Sequence, residues 1–194
     1  MTDSDLQVFV SGTWRDDKAV EYARAAAHVG ELIAEAGCSL ACGPGTGIAR
    51  YAIDGFCSVP SRRGAVRYFL PAESYMTAVG EVIQPGYDEI VQTDLDYPMR
   101  NVYQISKSSG LIAITGGDGT LEEMLPALID YNLPVSALKG AGQAAAALEA
   151  LLDVFPLWRP NVLLGDDPEE LARFILERLP NHQAVQHTPD AREE

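Results

Sequence analysis

Apolar residues along the chain fall into two rhythms, short unbroken runs and stripes at helical spacing. Residues 7–11 form a brief apolar run that breaks into Ser11-Gly12-Thr13, which predicts a buried strand entering a turn. Tyr22, Ala25, Val29, Leu32, Ile33 and Ala36 then recur on one helical face, with Glu21, Arg24, His28, Glu31 and Glu35 opposite and Gly37 as the stop. Residues 38–42 predict a second strand, the glycine-rich segment 43–47 a loop, residues 48–56 a helix and residues 65–70 a third strand. Between 72 and 98 the pattern weakens, and only 89–92 has strand character. A helix is expected over 99–108, and the apolar run 110–115 predicts a buried strand that leads into Gly116-Gly117-Asp118-Gly119-Thr120. Leu121, Met124, Leu125, Leu128 and Ile129 make the next stripe, 134–138 a strand, and Ala144, Ala147, Leu148, Leu151 and Leu152 another stripe. Residues 161–164 return to the sheet, and Asp167, Pro168 and Glu170 open a last helix through Leu171, Phe174, Ile175 and Leu179.

Strands that alternate with helices, with little hairpin punctuation, imply βαβ units. The expected fold is α/β, a doubly wound, mostly parallel sheet with helices on both faces, Rossmann-like and in a single domain over 7–179. Residues 1–6 are expected to be a flexible start, and 180–194, polar and without periodicity, a loose tail.

The 194 residues carry 14 Lys+Arg against 28 Asp+Glu, a net charge of -14. That charge repels phosphate polymers and anionic lipid, which argues against a nucleic-acid or membrane partner. Arg62, Arg63 and Arg67 are the one basic cluster. No basic leader or apolar span is visible, so a cytoplasmic protein is expected. Cys38, Cys42 and Cys57 lack metal or redox spacing, and no metal site is expected.

In such a sheet ligands bind at the carboxyl ends of the strands, where helix N-termini present unpaired N–H groups. The turns at 11–13, 43–47 and 116–120 lie on that predicted rim, and their glycines let a backbone approach an anion closely. Each alone is also an ordinary tight turn; three together favour a phosphate cradle. Neither longer loop is a Walker motif or a dinucleotide fingerprint. Glu123 follows Thr120 by three residues, which fits either a capping box or a carboxylate offered to a sugar, with Glu122 beside it. Arg100 either pairs with Asp94 or Asp96 at the surface or enters the site.

The segment Thr115-Gly116-Gly117-Asp118-Gly119-Thr120-Leu121-Glu122-Glu123, with Arg100 before it, resembles the LOG-type nucleoside 5'-monophosphate phosphoribohydrolases, long mislabelled lysine decarboxylases. The likeness runs over about residues 8–134. It implies catalytic roles for Arg100 and Glu123, and substrate or phosphate binding by Ser11, Gly12, Gly45, Thr46, Gly116, Gly117, Gly119, Thr120 and Glu122. It implies no cofactor, and Lys18, Lys107 and Lys139 have no Schiff-base context. The chain departs from the family pattern at Thr115, where proline is usual, and at Pro98 and Asn101, where histidine and lysine are usual. An Arg-Asn pair before the loop is also similar to molybdenum-cofactor carriers, which bind without hydrolysis.

The expected reaction is hydrolysis of the N-glycosidic bond of a nucleoside 5'-monophosphate, with a carrier or sensor of the same fold as the alternative. A DNA-processing relative fits poorly with the charge. The stripes 121–129 and 144–152 either cover the sheet or join a homodimer. Trp14 either stacks on a base or packs on the next helix.

Overall fold

The computed structural model describes residues 6–179. The expected tail 180–194 and all but Leu6 of the expected start lie outside them, and Leu6 itself is buried. The strands are β1 (Gln7–Ser11), β2 (Ser39–Cys42), β3 (Val66–Leu70), β4 (Glu89–Gln92), β5 (Gly110–Ala113), β6 (Val135–Leu138) and β7 (Val162–Gly165). The helices are α1 (Asp16–Ala19), α2 (Ala23–Glu35), α3 (Ile48–Ser58), α4 (Glu73–Val79), α5 (Tyr97–Ser106), α6 (Asp118–Ile129), α7 (Gln143–Val154) and α8 (Pro168–Leu176).

All strand pairs are parallel, in the order β4-β3-β2-β1-β5-β6-β7. The chain steps outward from β1 to β4 and then returns to lay β5 on the other side of β1. Val8 therefore pairs with Leu40 on one flank and Gly110 on the other. That reversal of winding opens a crevice at the carboxyl ends of β1 and β5, the place where open α/β sheets bind ligands.

Period-two alternation sorts the strand residues between two cores. Val8, Val10 and Ile112 join Ile33, Phe56 and Ile175 beneath α2, α3 and α8. Phe9, Leu111 and Ala113 join Ile105, Met124 and Leu148 beneath α5, α6 and α7. Each such large side chain removed from water contributes about 1.5–3 kcal/mol. The two apolar stripes on α6 and α7 supply this second core, although Ile129 at the edge of the first is exposed.

One expected helix start moves, one helix appears that the pattern did not predict, and the strand expected over 89–92 forms there. The helix expected at residue 99 begins at Tyr97, because the Asp96 side chain accepts from the Met99 N–H at 2.9 Å and Pro98 suits the first turn. The weakly patterned region contains α4, closed by Gly80 at φ +69°, and the edge strand β4. The basic cluster is largely neutralised, with Arg62 on Asp88 and Arg67 on Glu89, both at 2.7 Å. No helix among the described residues is long and apolar enough to cross a membrane.

Helices α2 and α3 approach backbone to backbone. A Cβ on Gly30 would lie 2.1 Å from the Ala52 carbonyl oxygen, and one on Gly55 would lie 1.9 Å from that of Ala27. Alanine is the better helix former by about 1 kcal/mol, yet Gly55→Ala is expected to destabilise the protein by about 1–3 kcal/mol through overpacking. Urea unfolding measures this, and stability equal to wild type would contradict the close contact.

Candidate functional site

A cleft of about 820 Å³ opens at the crevice between β1 and β5. Its walls come from the β1 turn (Ser11 to Trp14), the 43–46 loop, the segment after α4, the start of α5 and the first turns of α6. Ser11, Gly12, Thr46, Arg100, Gly117, Gly119, Thr120 and Glu123 all line it. Gly45, Gly116 and Glu122 do not, and Glu122 faces solvent.

Glu123 projects from α6 toward β1, where its carboxylate accepts a hydrogen bond from the Ser11 hydroxyl. The capping box with Thr120 does not form. The glycines let α6 start at Asp118 with Gly117 as N-cap, which places Thr120 inside the helix. The Asp118 carboxylate accepts from the Gly119 N–H at 3.0 Å instead. Burial pushes the Glu123 carboxyl up to about 7, against the opposing pull of the Ser11 hydrogen bond and the Arg100 charge. Near neutral pH this group is poised between acid and carboxylate.

Arg100 is 5% exposed, and it makes no ion pair with Asp94 or Asp96. Its backbone N–H closes the first helical turn onto the Asp96 carbonyl at 2.8 Å. Its Nη1 donates to Gln104 Oε1 at 3.3 Å, and its Nε has no hydrogen-bond partner among the described residues. The guanidinium carbon lies 5.6 Å from the ring centroid of Tyr68 and 5.5 Å from that of Tyr97, within cation–π range. Burial lowers its pKa, while the charges of Glu123 and Glu81 favour the cation.

The two longer glycine loops, similar in sequence, do different work. In the 43–47 loop, Gly47 has φ +59° and would place a Cβ 2.0 Å from the Thr13 carbonyl oxygen. Its N–H donates to the Asp16 carboxylate at 2.8 Å, and that of Ile48 to the Thr13 carbonyl at 2.9 Å. Two N–H groups at the start of α3 are thereby used in tying the loop to the segment that follows β1. At 116–120 the start of α6 opens into the cleft, and space lies where a Gly119 Cβ would stand. Gly116 sits beneath this turn, where a Cβ would meet Thr120 Oγ1 at 2.0 Å. One N–H group of the turn is held by the exposed Asp118 carboxylate, which can swing aside for an anion.

Glu81, Tyr68, Tyr87 and Tyr97 escaped the sequence reading. Glu81 and Tyr97 line the cleft. The Glu81 carboxylate accepts hydrogen bonds from the hydroxyls of both Tyr68 and Tyr97. Tyr87 stacks on Tyr68 with centroids 5.0 Å apart and donates its hydroxyl to the Gly43 carbonyl. Asn101 and Lys18 also face the cleft, and Trp14 stands 69% exposed on its rim rather than in the core.

Known structures share this architecture. A molybdenum cofactor carrier protein from Chlamydomonas reinhardtii is 23% identical with a TM-score of 0.70, over 91% of this chain and 98% of the other. A molybdenum cofactor binding protein from Rippkaea orientalis is 22% identical with a TM-score of 0.66, over 89% and 94%. DNA processing protein A from Helicobacter pylori, a single-stranded DNA binder, is 16% identical with a TM-score of 0.57, over 90% and 82%. At these identities the likeness establishes the shared α/β fold. No curated protein matches the chain significantly. The family model that matches covers residues 5–163, and the chain belongs to the SLOG cluster4 family.

Proposed function

We propose that the protein hydrolyses the N-glycosidic bond of a nucleoside 5'-monophosphate, releasing the base and ribose 5-phosphate. One observation carries this reading: a carboxylate held by Ser11 and a guanidinium flanked by two tyrosine rings line one cleft beside the open start of α6.

Departure of a base draws electrons from the anomeric carbon and leaves oxocarbenium character on the ribose. Ionised Glu123 hydrogen-bonds the ribose hydroxyls and stabilises that charge, and Arg100 donates to the departing base, which gains electron density; a water oxygen then bonds to the anomeric carbon and gives up a proton, and the base takes one up, so that free base and ribose 5-phosphate result. The turn at 117–120 receives the 5'-phosphate and fixes the ribose, so that binding far from the reacting bond supplies positioning. Asp118 turns outward to release the Gly119 N–H as the phosphate seats. Neither the helix start nor the Arg100 donors require a metal or an organic cofactor in this scheme.

A second reading, a carrier or sensor of a pterin-type or nucleotide ligand, is favoured by the size of the cleft. Its 820 Å³ stands toward the upper end of the range of about 300–1,000 Å³ for small-molecule sites. The same α6 turn and Arg100 would hold a phosphorylated ligand, and Glu123 would be dispensable. The fold neighbours that bind or carry the molybdenum cofactor support this alternative.

Incubation of the purified protein with AMP, GMP, CMP, UMP and IMP, followed by chromatography, separates the two readings. Release of free base is expected, and Arg100→Ala or Glu123→Ala should lower it by about a hundredfold or more, the scale of losing an electrostatic catalytic group. Release undiminished in Glu123→Ala would refute its catalytic role, and a folded wild type that retains ligand but releases no base would establish the carrier.

The ionised form of Glu123 is the active one, so kcat/KM is expected to be half-maximal near pH 7 and to fall about tenfold per unit below it. A flat profile between pH 5 and about 8 would contradict this assignment. Stability runs the opposite way. The folded protein holds this proton more tightly than the unfolded chain, whose carboxyl titrates near 4.5, so the stabilisation is complete below that pH and disappears as pH rises to about 7. Glu123→Gln, which keeps an acceptor for Ser11, is therefore expected to melt higher than wild type above pH 7, with the difference narrowing toward acid. Thermal scans across that range test it, and an advantage that widens toward acid would be the contrary result.

A further inference from the structure

Arg100 is a buried cation with few direct partners. Among the described residues no carboxylate forms an ion pair with it, and its one side-chain hydrogen bond is to the neutral Gln104. A guanidinium has five N–H donors, so most of them are uncommitted. Such a group needs something to hold its plane and offset its desolvation, yet a carboxylate placed directly on it would occupy the donors a ligand requires.

We propose that Glu81 is the positioning residue that meets both demands: its carboxylate ties the hydroxyls of Tyr68 and Tyr97, and the two rings so fixed hold the Arg100 guanidinium toward the cleft. Three separate chain segments meet in this arrangement. Tyr68 comes from β3, Tyr97 from the first turn of α5, and Glu81 from the segment after α4, which Gly80 turns at φ +69°. Tyr68 is fully buried and stacks on Tyr87, itself anchored on Gly43. Among the described residues, the Glu81 carboxylate alone joins Tyr68 to the more exposed Tyr97 by hydrogen bonds.

Charge adds to the geometry. A phenol that donates its proton toward a carboxylate becomes more electron-rich, and its ring face attracts a cation more strongly. Glu81 thus compensates Arg100 through the rings without consuming a single N–H of the guanidinium. The Tyr97 hydroxyl is held firmly protonated by its burial and by this same carboxylate, which keeps it a donor to Glu81 across the working pH range.

The kinetic part of the test rests on the hydrolase reading, whereas the spectroscopic part does not. Heteronuclear NMR of the Arg100 Nε–H, assigned by its loss in Arg100→Lys, reports directly on how firmly the guanidinium is held. Glu81→Gln and Tyr97→Phe are each expected to accelerate its exchange with water at least tenfold, with backbone resonances outside the cleft unchanged. Both should lower kcat for base release by about ten- to a hundredfold with KM altered much less, as expected of a misaligned group. The double variant should be no worse than the poorer single one, because both act along one path. Tyr97→Phe keeps the ring and removes only the hydroxyl, so it remains informative if Glu81→Gln does not fold. Unchanged Arg100 exchange in the folded variants would overturn the proposal. Faster exchange in a protein that releases no base from any nucleotide would uphold it and overturn the hydrolase reading alone.

Discussion

The organising constraint of this molecule is that two opposite charges, Arg100 and Glu123, sit in the wall of one cleft without neutralising each other by direct contact. A buried ion pair would cancel both charges and use up their hydrogen-bonding capacity. Each is instead held by uncharged groups: the Ser11 hydroxyl for the carboxylate, and Gln104 with two phenol rings for the guanidinium. The parallel sheet makes this separation feasible. Ser11 ends β1, Glu123 lies on the helix after β5, and Arg100 lies on the helix that leads into β5, so all three converge where the winding reverses.

The cost of the arrangement falls on stability. Glu123 resists ionisation because its place in the cleft wall strips away much of its hydration, and a carboxylate forced to ionise there weakens the fold. Its counter-charge is near enough to be felt but is not bonded to it. Sites that depend on such unrelieved charges commonly give up stability in this way.

Much of the fold was legible because core positions repeat at the period of their element. The alternation of Val8, Phe9 and Val10 between two cores, and the stripe on α6, follow from residue order alone. Arg100 and Glu123 could be singled out from their motif, but their environment could not. Sequence spacing left open a surface ion pair for one and a capping box for the other. The choice was made by the early start of α6 at Asp118 and by the tyrosine cage around α5. Glu81 was invisible for a different reason. It lies in a stretch where α4 has no fully buried residue and β4 is largely solvent-facing, so no periodic signal arises, and its partners are 13 and 16 residues away. The glycine loops taught a related lesson: Asp16 and Thr13 take up two N–H groups where one of them enters its helix, a fact written outside the loop itself.

The walls of the cleft come from six stretches of chain spread between Phe9 and Gln143. No sub-fragment contains them all, and a partly assembled sheet presents no complete cleft. A molecule that occupies it binds the finished fold alone, so its binding energy acts on the global unfolding equilibrium rather than on a local loop. Ligand at a hundred times its dissociation constant would add about 2.7 kcal/mol to the stability of the entire domain. Occupancy by metabolites would then govern the resistance of this protein to proteolysis and its lifetime in a cell, independently of whether the bound molecule is turned over.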